Sequence, residues 1–274
     1  MPLEKMLYMK NTCIRRTYPF ILMLCHATAL ANNVTEVIPT GVWQVKHVYI
    51  DTSVMSSSHT LPNDPSLVGR TLKFSQENIN GSMLAGKGCM HPSVQPQQRT
   101  YLDKLLSSTF GTTKEGSIAA NYLLPQKAEA QVSPLVIDCT EGLFGPSGES
   151  IDSWLVWLSE QSIMINWDNN TLLTLDKVQA DALPSPSFNC QRVTAVTERK
   201  ICTSFELAAW DHSVNDAYKM VEAELKRLGK PEELDELKKS QRKWIADRNA
   251  CNEDEVCLAK KMEERVFDLT ASIE

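Results

Sequence analysis

The stretch RNACNEDEVCLA, residues 248–259, decides how the last third of the chain folds. On one unbroken helix, residues six apart rise about 9 Å and point to different faces. A disulfide needs Cα atoms closer than about 7 Å. Cys251 and Cys257 can therefore pair only if the helix breaks between them. Asn252 is a good N-cap, and Glu253, Asp254 and Glu255 suit the positive end of a new helix. The stretch predicts a helical hairpin stapled at its turn.

Helical patterns lie on both sides. Leu207, Trp210, Val214, Ala217, Val221, Leu225 and Leu228 follow three-and-four spacing. Gly229 then offers a left-handed stop, and Pro231 opens the next helix at its first turn. That helix carries Leu234, Leu237, Gln241, Trp244 and Arg248. A third carries Val256, Ala259, Met262, Val266 and Leu269. Ahead of them, Cys190 and Cys202 form a second close pair. Joined, they pin the incoming chain to the start of the long helix and contribute about 3 kcal/mol by restricting the unfolded state.

Several residues in this region form a signature. They are Phe188-Asn189-Cys190, Glu198 before Ile201-Cys202, Leu207, and the run from Asp211 to Tyr218. Gln241 to Ile245, Arg248, Cys251, Cys257-Leu258 and Arg265 complete it. With this signature, residues 188–269 resemble the LprI-type lysozyme-inhibitor domain, a small helical module of bacterial envelope proteins. The chain departs from the family pattern at Asn249, where aspartate is usual, and at Val214, where leucine is. Neither change disturbs the helical spacing. The resemblance implies structural roles for Asp211, Asn215, Tyr218, Gln241, Trp244 and Arg248. It leaves the surface that binds a target undefined.

At the other end, residues 1–31 read as a signal peptide. Lys5, Lys10, Arg15 and Arg16 make a basic start, Phe20 to Leu24 an apolar centre, and Ala29-Leu30-Ala31 a cleavage signal before Asn32. The apolar run is far shorter than the roughly eighteen residues a spanning helix needs. Cys25 is a poor lipidation site, because the bulky Leu24 precedes it. Removing this leader, with its four bases and Glu4, takes the formal net charge from −6 to −9. An acidic chain is a poor ligand for nucleic acid and attracts a basic partner. Six cysteines remain, and an even count in an exported chain reads as three disulfides. Fifteen pairings are possible. Proximity selects Cys190 with Cys202 and Cys251 with Cys257, which leaves Cys89 with Cys139.

Residues 32–180 read as a β-rich domain. Trp43, Val45, His47 and Tyr49 alternate with Val42, Gln44, Lys46 and Val48, a strand with one aromatic face. Gly41-Val42-Trp43 has the G-x-W form that opens lipocalin barrels, although a first-strand tryptophan is more often plain core. Thr71 to Phe74 and Leu135 to Cys139 are short strands, and residues 52–68 a surface loop. Trp154 to Leu158, Ile163 to Trp167 and Thr171 to Leu175 form a three-strand meander with polar turns between. Gln98 to Ser107 reads as one helix. Residues 181–187, around Pro184-Ser185-Pro186-Ser187, are a stiff linker, and residues 188–274 the helical domain. The fold expected is α+β: a small antiparallel β-sandwich or partly closed barrel with one helix, then a disulfide-stapled helical domain.

Catalytic patterns are sparse. The chain has no G-x-S-x-G elbow, no H-E-x-x-H and no P-loop. His47, His59, His91 and His212 are well separated. Cys89 and His91 lack the second close pair that a tetrahedral metal site needs. Asp211 and His212 adjoin on a helix and point about 100° apart. Asn33, Asn80 and Asn169 sit in N-x-S/T triplets; in the bacterial host that the resemblance implies, these are chance matches. No cofactor is expected. Three functional classes follow. The first, which the resemblance implies, is a periplasmic or secreted inhibitor of a lysozyme-like muramidase, blocking its cleft. The second is an envelope interaction or immunity protein with another target. The third, an envelope hydrolase, has the least support.

Overall fold

The computed structural model describes residues 38–53, 60–84, 86–111, 118–145, 153–168 and 170–271. The expected leader, its cleavage site between Ala31 and Asn32, Cys25, Asn33, His59 and Asn169 lie outside the described residues. Among the described residues, no helix is long and apolar enough to cross a membrane.

The early strands are β1 (Gly41–Tyr49), β2 (Thr71–Phe74), β3 (Asn78–Asn80), β4 (Cys89–Met90), β5 (Ser93–Pro96) and β6 (Thr100–Tyr101). The later ones are β7 (Gln131–Val132), β8 (Leu135–Asp138), β9 (Trp154–Ser159), β10 (Ser162–Trp167) and β11 (Thr171–Lys177). Nine of them form one antiparallel sheet, in the order β4-β3-β2-β1-β11-β10-β9-β8-β5. It is a half-barrel, so the sandwich alternative falls. The meander is present as β9, β10 and β11. Its runs are apolar at consecutive positions because both sheet faces are covered. Leu155, Ile163, Ile165 and Leu173 pack with Trp43, Phe74, Phe144 and Trp167 on one face. Trp154, Val156, Met164 and Leu172 pack on the other, against α1 (Leu102–Phe110) and the one-turn α2 (Ile118–Asn121).

Two details differ from the sequence expectation. The aromatic face of β1 does not persist, because a register shift between Val45 and His47 inserts a bulge. Buried positions then switch from Trp43 and Val45 to Val48, and His47 turns outward. The helix expected at residues 98–107 starts later, at Leu102. Thr100 and Tyr101 instead pair with β7, which leaves Tyr101 exposed. Trp43 is fully buried, donates Nε1–H to the Thr40 carbonyl at 3.2 Å, and meets Trp157 edge-to-face. It is core.

The sheet's two ends are tied together. Cys89 on edge strand β4 is bonded to Cys139 just beyond β8, with Cα atoms 5.2 Å apart. Met90 and Glu141 form a bridge beside it. Gly142 makes this approach possible: its φ is +78°, and a Cβ there would lie 1.7 Å from the Gly88 carbonyl oxygen.

The helical region begins with a 3-10 turn at Cys190–Arg192. Four helices follow: α3 (Val196–Ile201), α4 (Phe205–Arg227), α5 (Pro231–Asn249) and α6 (Glu255–Thr270). Ser204 caps α4, accepting from Leu207 N. Gly229 takes the left-handed conformation after it, and Pro231 is the first residue of α5. Leu207, Trp210, Val214, Ala217 and Val221 of α4 pack with Leu258, Met262, Val266 and Leu269 of α6. Helix α5 buries only Leu237 and Arg248 fully. Disulfides join Cys190 to Cys202 and Cys251 to Cys257. The helix does break between the last pair. The cap of α6 is Asp254, however, which accepts from Val256 N and Cys257 N. Asn252 sits in the turn at φ +54°, a conformation asparagine tolerates well.

Helix α4 also faces the β region. Gly69, at φ +83°, brings the backbone so close that a Cβ there would lie 3.1 Å from Ala209 Cβ. Ser213 Oγ donates to the Ala209 carbonyl at 3.0 Å and accepts from Arg70 Nη2 at 3.1 Å.

Candidate functional site

The signature residues converge on the interior of the helical region. Asp211 of α4 is buried. Its Oδ2 accepts from Ser187 N at 2.8 Å and Ser187 Oγ at 2.5 Å. Its Oδ1 faces Arg248 Nη1 of α5 at 3.5 Å. Arg248 also donates through Nε and Nη2 to Asn249 Oδ1, at 3.1 and 2.9 Å, and lies 5.3 Å from the Trp244 ring centre. Burial pushes the Arg248 pKa down, while Asp211 and Glu198 hold it up. One polar assembly thus joins the linker end, α4 and α5.

A second assembly joins α5 to α6. Trp244 Nε1–H donates to the Lys261 carbonyl at 3.0 Å. Arg265 donates through Nε to Gln241 Oε1 and through Nη2 to Ser240 Oγ, each at 3.0 Å. Burial lowers the Arg265 pKa, and Asp268 and Tyr218 oppose the shift. Tyr218 is half-buried against the same core, and Asn215 donates to its neighbour Asp216 at 3.0 Å. These contacts occupy the side chains within the fold. Asp211 and Gln241 spend their acceptors on internal donors.

Outward, the helical region presents the hairpin end. Residues 252–256 are all exposed, and Val256 is 79% exposed. The end is held from behind. Cys251 is bonded to Cys257, Thr197 Oγ1 donates to the Asn249 carbonyl, and Lys200 pairs with Glu255 at 2.8 Å. A convex tip fixed by a disulfide and α3 can enter a concave partner without first being ordered.

Two clefts lie where the β region meets the helices. One, of about 620 Å³, brings His47, Lys46 and Lys177 of the sheet near His212 and Asp216 of α4 and Leu183 of the linker. The other, of about 590 Å³, is lined by Arg70, Trp210 and Phe267 among others. The sequence reading kept His47 and His212 apart, and the fold brings them to one cleft. His91 lies 3.8 Å from Glu77 in an exposed contact. No group of three or more metal-binding side chains occurs among the described residues, and Cys89 is in its disulfide. Two contacts carry no sequence signal: Ser187 with Asp211, and Arg70 with Trp210 and Ser213. Ser187 sits in a serine–proline spacer, Arg70 follows a loop, and Trp210 fits the helical core pattern, so none advertises a distant partner.

No curated protein and no solved structure gives a match to the chain. The C-terminal segment does: residues 190–269, the helical region with both local disulfides, match the family described as "Lysozyme inhibitor LprI".

Proposed function

We propose that this protein is a binding protein of the bacterial cell envelope, periplasmic or secreted, that inhibits a lysozyme-like muramidase by blocking its cleft. The observation that carries the reading is the family match over residues 190–269. Three disulfides suit an oxidising, extracytoplasmic compartment. The signature residues act as scaffold, and the rigid hairpin end, residues 250–257, supplies the contact. Inhibition of this kind needs no catalytic group in the inhibitor, only a shape that fills a groove flanked by carboxylates.

Charge divides the labour. Residues 190–269 hold 17 acidic and 15 basic side chains, a net of −2, whereas residues 32–189 carry a net of −6. The β region then does most of the steering of a basic enzyme, and the helical region makes the contact. A second reading has one observation in its favour. The whole half-barrel lies outside the family match, so an envelope target other than a lysozyme, as for an immunity protein, would use that region.

The test is cell-wall lysis followed by turbidity, with the oxidised full chain against several host and bacterial lysozymes. Inhibition of at least one is expected. It should weaken with salt, since screening at 0.15 M acts over about 8 Å, and vanish on reduction. If no lysozyme is slowed while another envelope protein co-purifies with the chain, the inhibitor reading falls.

A further inference from the structure

Arg70 opens a different line. It follows Gly69 into β2 and is 2% exposed. Its guanidinium carbon lies 3.5 Å from the Trp210 ring centre. Nη2 is used by Ser213, but Nε and Nη1 have no hydrogen-bond partner among the described residues. Those two nitrogens carry three N–H donors on a buried cation. Burial lowers the Arg70 pKa to about 10, with Glu206 and Glu263 opposing the shift, so the group is charged at neutral pH. A buried cation with unmatched donors is costly, and the missing acceptor needs a source.

The surroundings indicate which acceptor fits. Arg70 lines a cleft of about 590 Å³ with Leu67, Met83, Trp210, Glu263 and Phe267. That volume suits a small ligand or the end of a peptide. Phe267 of α6 is 71% exposed, an aromatic surface at the mouth with little to cover it. Asp64 also lines the cleft, but it is committed to Leu61 N, Ser66 N and Ser66 Oγ. An inorganic anion alone would leave Phe267 and Met83 uncovered. An apolar molecule alone would leave the guanidinium unmatched.

We propose that this cleft binds a ligand that couples a carboxylate to an apolar group. The carboxylate accepts from the Arg70 guanidinium, and the apolar group lies between Met83 and Phe267. A free N-acylated amino acid and the C-terminal residue of a peptide share this chemistry. The site lies between the loops on either side of the β2–β3 hairpin, α4 and α6, so its occupancy tightens the junction between the two regions. It does not depend on lysozyme inhibition.

The experiment is calorimetric titration of the oxidised full chain at fixed ionic strength. The probes are N-acetyl-leucine, N-acetyl-leucinamide and a tetrapeptide ending in free leucine. Both acids should bind at least about tenfold more tightly than the amide, the scale of a charge-assisted hydrogen bond. Tighter binding of the tetrapeptide assigns the site to peptide ends, and equal binding to small ligands. Arg70→Met should abolish acid binding without lowering Tm, because it removes an unmatched buried charge. Phe267→Ala, at an exposed position, should weaken binding several-fold, and Glu263→Gln should tighten it by removing a like charge. Equal binding of acid and amide, or none of either, overturns the proposal. So does a Glu263→Gln variant that loses both Tm and acid binding, which would make Glu263 the partner of Arg70.

Discussion

The two regions of this chain are held by different means. In the half-barrel, consecutive strands mostly lie side by side, and two pairings between distant segments, β1 with β11 and β5 with β8, bring its parts together. Its order rests on apolar side chains and one disulfide spanning 50 residues. In the helical region both disulfides are short, spanning 12 and 6 residues. There the apolar seam between α4 and α6 is supplemented by buried arginines, each held by polar partners. A sheet closed by long-range pairing depends on its seam. A bundle with a thinly embedded helix such as α5 depends on its polar cross-links.

The largest expected loss comes from opening that seam. Replacing Cys89 and Cys139 together with Ala should cost about 4 kcal/mol, since the staple closes a long loop in the unfolded chain. Urea unfolding of the oxidised protein measures it. Equal costs for all three disulfides would erase the contrast between regions.

The next loss is polar. Asp211→Ala strands Arg248 inside the protein and should cost about 3 kcal/mol. Pairing Asp211→Leu with Arg248→Met should recover most of that loss, because no buried charge then lacks a partner. If the double variant is as unstable as the single one, the assembly is held by packing alone.

A smaller effect is expected at Trp244. It is half-buried, so Trp244→Ala should cost about 2 kcal/mol, below the 3–5 kcal/mol of a fully buried tryptophan. The loss should fall in helical signal, read by circular dichroism during thermal unfolding.

The smallest effect is a gain. Asn249→Asp places a carboxylate against Arg248 Nε and Nη2 and should add about 0.5 kcal/mol at pH 7. The new carboxylate has a lower pKa folded than unfolded. Its contribution is present above the ordinary carboxylate value near 4 and is lost as pH falls through the folded value. Stability measured at pH 7 and pH 3 checks both the size and the sign.

The same contrast explains what the sequence made legible. The helical region announced itself through local features: three-and-four spacing, Gly229-Pro231 and the close cysteine pairs. Its one local error, Asn252 for Asp254 as the cap, arose because both residue types cap helices and both suit the turn. The meander was legible for the same reason, with strands next to each other in sequence. The short strands β3 to β7 were not, since none of them carries an apolar run. The bulge at residues 45–47 was also hidden, because an inserted residue breaks the alternation on which a strand is recognised. At the candidate site, the sequence identified the signature residues but not the junction of Arg70, Trp210 and Ser213, whose members lie about 140 residues apart, as in the Arg70–Ser213 hydrogen bond with a separation of 143.

In the proposed complex, the helical region makes the contact with a lysozyme and the half-barrel does not. Backbone hydrogen exchange of the oxidised full chain, with and without a lysozyme that it inhibits, tests this most directly. Added protection is expected within residues 190–269, strongest around the hairpin end at 250–257. Protection confined to residues 38–180, with the hairpin unchanged, would contradict it.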